Sequence, residues 1–405
     1  MQDAHRAVEA VARESYGRLV AYLSAHTRDV AGAEDALGEA LHDALISWAR
    51  DGVPEKPAAW LLTAARNRLK DRARHARVNA EHAETLRRMV AESEETMAPD
   101  EFPDERLKLL FVCAHPAIDP TAHTPLMLQT VLGLDAASIA RAFLVSPTAM
   151  GQRLVRAKTK IREAGVPFVV PEERELPHRL EAVLEAIYAA YGIGWEEAAG
   201  AAPSARDLAD EALWLARVLL QRMPEEPEVR GLLALMLFCE ARRSARRTAE
   251  GRYIPLSEQA PETWSLPAIQ EAETELSAAA KHGRVGRFQL EAAIQSVHAE
   301  RRATGRTDWA AIADFYDVLV PLAPTLGARI GQAVAVAEAR GPETGLALLD
   351  EIERGDVTSY QPYWAVRAHL LQRLGLQVEA SKAFDLAIGL TEDEAVRRFL
   401  LERRR

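Results

Sequence analysis

No stretch of this 405-residue chain alternates Val, Ile, Thr or Tyr with polar residues as a half-buried strand does. Ala, Leu, Arg and Glu recur instead at three- and four-residue spacing almost from end to end, which favours helix. The expected fold class is therefore all-α. A chain of this length should divide into two or three domains, each burying its own core. The most apolar run, "LLALMLFCEARR", is too short to cross a bilayer. The opening "MQDAHRAVEAVARESYG" has charges throughout and no apolar h-region. Only Cys113 and Cys239 could form a disulfide, and two distant cysteines are no framework. These features predict a soluble, cytoplasmic protein with no membrane partner.

Proline, glycine and charge divide the chain. Helical periodicity from Val8 to Trp48 breaks at "RDGVPEKP" and resumes at Trp60. The resumed helix carries Arg66, Arg68, Lys70, Arg72, Arg74 and Arg77 against a single acid, Asp71. The sign then reverses in "EHAETLRRMVAESEETMAPDEFPDER", which holds nine acids and three arginines. These shifts predict a first domain over 8–80, an acidic linker over 81–103 and a second domain over 104–166. "GVPFVVPEERELP" closes the second, and helices fill 177–300 and 308–402. In the last part Ile312, Leu346 and Ala380 recur every 34 residues, the tetratricopeptide (TPR) period. The last copy fits that pattern well, with Trp364, Ala368 and Leu371 on one helix and Ala380, Phe384 and Ala387 on the next. The middle copy fits poorly, because Asp350 and Glu353 stand where packing residues belong.

A chain of net charge −10 nevertheless packs Arg153, Arg156, Lys158, Lys160 and Arg162 into ten residues. Asp135 is a natural N-cap for "AASIARAF", and Ser146 followed by Pro147 opens the next helix. Two short helices across a tight turn read as a helix-turn-helix. Ala140 suits their crossing, and Ile139, Val145, Met150 and Leu154 supply a shared core. On the second helix Met150, Leu154, Ala157 and Ile161 form one stripe at 100° per residue. Ala149, Gln152, Arg153, Arg156 and Lys160 fall on the opposite side. Arg can bond guanine bidentately, Gln can bond adenine, and basic residues further along can hold phosphate. The expected DNA contacts are Thr148, Gln152, Arg153, Arg156, Lys158 and Lys160.

The first domain narrows the reading. "AEDALGEALHDALISW" and "AAWLLTAARNRLKDRARH" resemble region 2 of an extracytoplasmic-function-type RNA polymerase sigma factor of the sigma-70 family. Asp35, Glu39 and Trp48 match its acidic helix. Trp60, Leu61, Ala65, Arg66, Asn67, Asp71 and Arg74 match the helix that follows. Ile139, Ala140, Arg153, Leu154, Arg156, Ala157 and Lys158 resemble region 4. Gly38 replaces the usual Gln, and Leu144 the usual turn Gly. "HPAIDP", "LLALMLFCEARRSAR", "AAIQSVHAE" and "DWAAIADFYDVL" resemble the subgroup with a long TPR-like C-terminal extension.

That resemblance implies core RNA polymerase and promoter DNA as partners. It places Asp35, Glu39 and Asp43 against the β′ clamp and region 4 against the β flap. Lys56, Arg66, Asn67, Lys70, Arg74 and Arg77 would hold the −10 strand, beside a base-capturing loop from Asp51 to Pro57. Leu37, Leu41, Leu45 and Trp48 are expected as the buried stripe of the acidic helix, and Trp48 and Trp60 as core. The TPR-like part would take a protein partner, the sigma core itself included. No catalytic motif occurs, and Cys113 with His115 does not make a zinc site. The chain is thus expected to be no enzyme and to need no metal or cofactor. The competing readings are a helix-turn-helix regulator with a ligand- or protein-sensing TPR-like domain, and a TPR scaffold.

Overall fold

A computed structural model describes residues 2–76, 104–143, 145–172, 174–198, 203–353 and 357–404. The regular elements of those residues are all helices, and their only β pairing is one isolated bridge between Arg247 and Tyr253. The expected acidic linker over 81–103, the turn residue Leu144 and Arg77 lie outside them. The chain forms two compact units, residues 1–194 with 207–215 and residues 195–206 with 216–405.

The first unit begins with α1 (Gln2–Thr27), α2 (Val30–Asp51) and α3 (Pro57–Ala76). Asp29 caps α2 by accepting from the Gly32 N–H, and Gly52, at φ 89°, ends it in a conformation other residues rarely adopt. The buried stripe of α2 is richer in alanine than its leucines predict. Ala33, Ala36, Leu37, Ala40, Ala44 and Trp48 are buried, while Leu41 and Leu45 are only half-buried. Small residues let α1 and α3 approach α2 closely, so the larger leucines are left at the margin.

Next come α4 (Arg106–Cys113), α5 (Pro120–Thr130), α6 (Ala136–Ala142) and α7 (Pro147–Glu163). The starts of α5, α6 and α7 each carry a polar cap, twice followed by proline, and those of α6 and α7 were legible in the sequence. Asp119 accepts from Thr121 N–H, Asp135 from Ala137 and Ser138, and Ser146 from Ala149. Each fills a donor that the first helical turn leaves open. Arg106 is nearly buried at the start of α4, where Asp104 and Glu211 pair with it and Trp214 lies 4.2 Å below its guanidinium. Helix α8 (Leu176–Ala198) contributes Leu180, Val183, Leu184, Ile187 and Tyr191 to the unit's core. Helix α9 (Pro203–Arg222) follows, and the division between the units falls within it.

In the second unit the most apolar run of the chain becomes α10 (Pro227–Ala241), buried on nearly all sides. It packs between α11 (Leu266–Ala280) and α12 (Arg287–Ala299). Glu228 on α10 caps α12 from outside, accepting from the Phe288 N–H at 2.9 Å and the Gln289 N–H at 3.1 Å. Then come α13 (Trp309–Leu322), α14 (Leu326–Arg340), α15 (Pro342–Asp350), α16 (Gln361–Arg373), α17 (Gln377–Leu390) and α18 (Glu394–Arg403). Consecutive members pack as hairpins, α13 on α14 and α16 on α17. Ile312 and Ala380 are buried, and Leu346 is half-buried against the neighbouring clusters. In the segment read as the middle copy the helix is short and both acids lie at the surface. Its helix α15 has nine residues, Asp350 pairs outward with Arg367, and Glu353 is exposed. Helix α18 bonds back to the segment after α10, through Arg247 with Asp393 and Arg403 with Glu258, and Tyr253 meets Phe399 edge-on.

Candidate nucleic-acid interface

Helix α7 buries Met150, Leu154, Ala157 and Ile161, the four residues of the stripe read from the sequence. Ile139 and Ala140 of α6 are fully buried, with Ala140 where a small residue was expected. Thr148, Gln152, Arg156 and Lys160 are consequently exposed. Arg156 lies along its own helix, its Nε donating to the Gln152 carbonyl at 3.3 Å. Arg153 is half-buried and reaches back to the Thr121 carbonyl at 3.4 Å. The exposed residues form a polar, cationic surface of the kind that bonds base edges and phosphates.

Lys158 stands apart from that surface. Its ammonium pairs with Glu34 of α2, and both side chains are nearly enclosed, at 13% and 11% exposure. Burial pushes the Glu34 carboxyl up, more than Lys158 beside it brings it down. Its place among the expected DNA contacts is therefore corrected in position: Lys158 points into the protein. The helical wheel contained this answer, since Lys158 is not on the face shared by Gln152, Arg156 and Lys160. Arg162 approaches Asp29 at 4.0 Å on the same border.

On α2 the expected acidic face exists and is already paired. Arg68 bonds Asp43 at 2.5 Å, and Arg72 bonds Glu39 at 2.6 Å and approaches Asp35 at 3.5 Å. All five side chains remain a third or more exposed, so water still reaches them. Sequence reading missed this role for Arg68 and Arg72. Their i, i+4 spacing, on the opposite side of α3 from Arg66 and Lys70, was the available signal.

The expected cationic ridge on α3 is only partly shared. Arg66 is half-buried, donates to the Tyr22 hydroxyl and stacks on its ring at 5.1 Å. Lys70 is half-buried, Lys56 and Asn67 are exposed, and Arg74 lies on α3 with its side chain outside the described residues. Trp48 is buried and meets half-buried Trp60 edge-on at 5.6 Å, which fits the core role expected of both. Beside Trp60 an open hollow of about 400 Å³ is lined by Asp43, Ile46, Ser47, Asn67 and Arg68.

Cys113 is fully buried against Thr130, and burial pushes its thiol up to about 12. His115 turns its Nδ1 to the Ala117 N–H. Among the described residues no cluster of His, Cys, Asp and Glu could hold a metal ion, and no helix is long and apolar enough to cross a membrane.

Residues 11–78 match the family described as sigma-70 region 2. Residues 179–280 match a family of unknown function, DUF6596. An uncharacterized protein of Rhizobium meliloti (strain 1021) is 39% identical over 383 residues, covering 93% of this chain and 89% of its own. No solved structure matches.

Proposed function

Because this chain belongs to one family with the Rhizobium meliloti protein and carries sigma-70 region 2, which supports a sigma-70 family sigma factor, we propose that it directs promoter-specific initiation as an alternative sigma factor of the extracytoplasmic-function type. In this reading the protein is a cytoplasmic, non-enzymatic initiation factor. Asp35, Glu39 and Asp43 meet the polymerase β′ clamp. Residues 104–166 act as region 4, reading the −35 element by a helix-turn-helix and meeting the β flap. Lys56, Asn67 and the remaining cations of α3 hold the −10 strand. The extension after Pro171, TPR-like in its last part, regulates the rest.

The supporting observation is the division of α7, whose buried stripe leaves Gln152, Arg156 and Lys160 exposed on a chain that also carries region 2. Run-off transcription with purified core polymerase and a genomic promoter library tests it. Discrete transcripts that depend on the protein are expected. DNA binding without initiation would instead favour a helix-turn-helix regulator that works without polymerase. Truncation after Pro171 should change transcript yield by a large factor, and equal yields would make the extension a passenger.

A further inference from the structure

The stretch that follows α10 gathers more positive charge than the acids around it balance. A short helical turn, Arg243–Arg246, continues from α10 and brings Arg242, Arg243, Arg246 and Arg247 together. Among the described residues two carboxylates meet them, Glu240 at Arg243 and Asp393 at Arg247. Glu250 lies on the exposed turn beyond and bonds Thr248 instead. Arg242 and Arg246 pair with no acid among the described residues. The guanidinium of half-buried Arg242 donates to the Cys239 sulfur at 3.6 Å. Half-buried Arg246 donates to the Trp195 carbonyl at 2.8 Å and stacks on that ring at 4.4 Å. A guanidinium does not shed its proton in a protein, so burial does not silence these charges. Each keeps N–H donors and a positive charge that the fold leaves uncompensated.

The groups around them are polar and uncharged. Tyr253 is set beside the arginines by its bridge to Arg247, and its hydroxyl makes no hydrogen bond among the described residues. Burial raises that hydroxyl, while Arg246 and Arg242 draw it down. Burial also pushes the Cys239 thiol up, with Arg242 acting against it. His298, held neutral on α12 by burial, feels Arg242 as well.

We propose that Arg242, Arg246 and the Tyr253 hydroxyl form a binding site for a phosphate group, carried by free phosphate or by a small phosphomonoester. The charge selects phosphate: about −1.5 to −2 near neutral pH answers both guanidinium ions, whereas a single carboxylate answers one. Its several oxygens accept from two guanidinium forks and a hydroxyl together. Stacking on Trp195 fixes Arg246 in advance, which leaves less freedom to lose on binding. Arg247 and Tyr253 also hold α18 through Asp393 and Phe399, so a ligand here acts on the turn that anchors the terminal helix. The site lies in the second unit and is independent of the sigma-factor reading.

Calorimetric titration of the full-length protein with inorganic phosphate, and separately with glycerol phosphate, tests it at matched ionic strength. Saturable binding of one phosphate per chain is expected, with acetate at least about tenfold weaker. Arg242→Gln and Arg246→Gln should each weaken binding about ten- to a hundredfold, the loss of a charge-assisted contact. Tyr253→Phe should weaken it about two- to tenfold, the loss of a neutral one. Helical circular dichroism establishes that each variant folds. Arg306→Gln, at an exposed arginine outside the cluster, should bind as the wild type does. Tighter binding of the ester identifies a small phosphorylated molecule as the ligand, and equal or tighter binding of the free ion identifies phosphate itself. No saturable binding in the wild type, or equal binding of acetate, overturns the site. So do folded Arg242→Gln and Tyr253→Phe variants that bind unchanged. An equal loss in Arg306→Gln overturns it too, because general charge rather than a built site would then hold the anion.

Discussion

His298 offers a test of the second unit that needs no ligand. It lies on α12, edge-on to Trp309 at 5.3 Å, and burial followed by the charges of Arg242 and Arg301 pushes its pKa down to about 3. The unfolded chain takes up this proton near pH 6.5, and the folded chain does not until about 3. Stability present at neutral pH is therefore lost as pH falls below the unfolded value, down to the folded one. At pH 5 the gap below 6.5 is about 1.5 units, and at about 1.36 kcal/mol per unit the loss is about 2 kcal/mol. Urea unfolding of wild type and His298→Gln between about pH 7 and about pH 5 isolates this contribution, since other groups titrate in both proteins. The wild type should lose about 2 kcal/mol more than the variant over that range. Parallel pH dependence in the two proteins would refute the argument that His298 is held neutral by burial.

The α7 surface and the buried thiol give further checks. Arg156→Ala should alter promoter preference by about 1–3 kcal/mol at the base it reads. Lys160→Ala should instead weaken all promoters similarly and lower the salt dependence of binding. If Arg156→Ala leaves preference and strength untouched in run-off assays, Arg156 does not read bases. Cys113, its thiol raised to about 12, should resist alkylation at about pH 8 in the native protein and react promptly in denaturant. Fast native labelling of Cys113 would contradict its place against Thr130.

What the sequence disclosed was local. Asp135, Ser146 and Pro147 announce helix starts because capping acts over two or three residues. The stripe of Met150, Leu154, Ala157 and Ile161 follows from helical geometry alone. The contacts missed were distant or depended on side-chain size. Glu34 and Lys158 are 124 residues apart, and Arg106 and Glu211 are 105 apart, so no local pattern links them. On α2 periodicity favoured Leu41 and Leu45, but close packing selected the alanines. The acidic face was legible as charge, whereas its pairing with Arg68 and Arg72 required the packing of α3 on α2. The 34-residue spacing marks Ile312 and Ala380, both buried, but gave no sign that α15 has only nine residues.

The tie between α18 and the segment after α10 changes what deletions from the C-terminus will do. Stacked helical arrays exchange contacts mainly with neighbours, so an open end can fray with little effect further along. Here the terminal helix is bonded to residues about 145 positions earlier: Asp393 to Arg247 and Arg403 to Glu258. Cutting the chain before Asp393 would uncover Tyr253 and leave Arg247, 146 positions earlier, without its carboxylate. A nested truncation series would therefore register damage around residues 247–258 at its first step and assign it to the last helix.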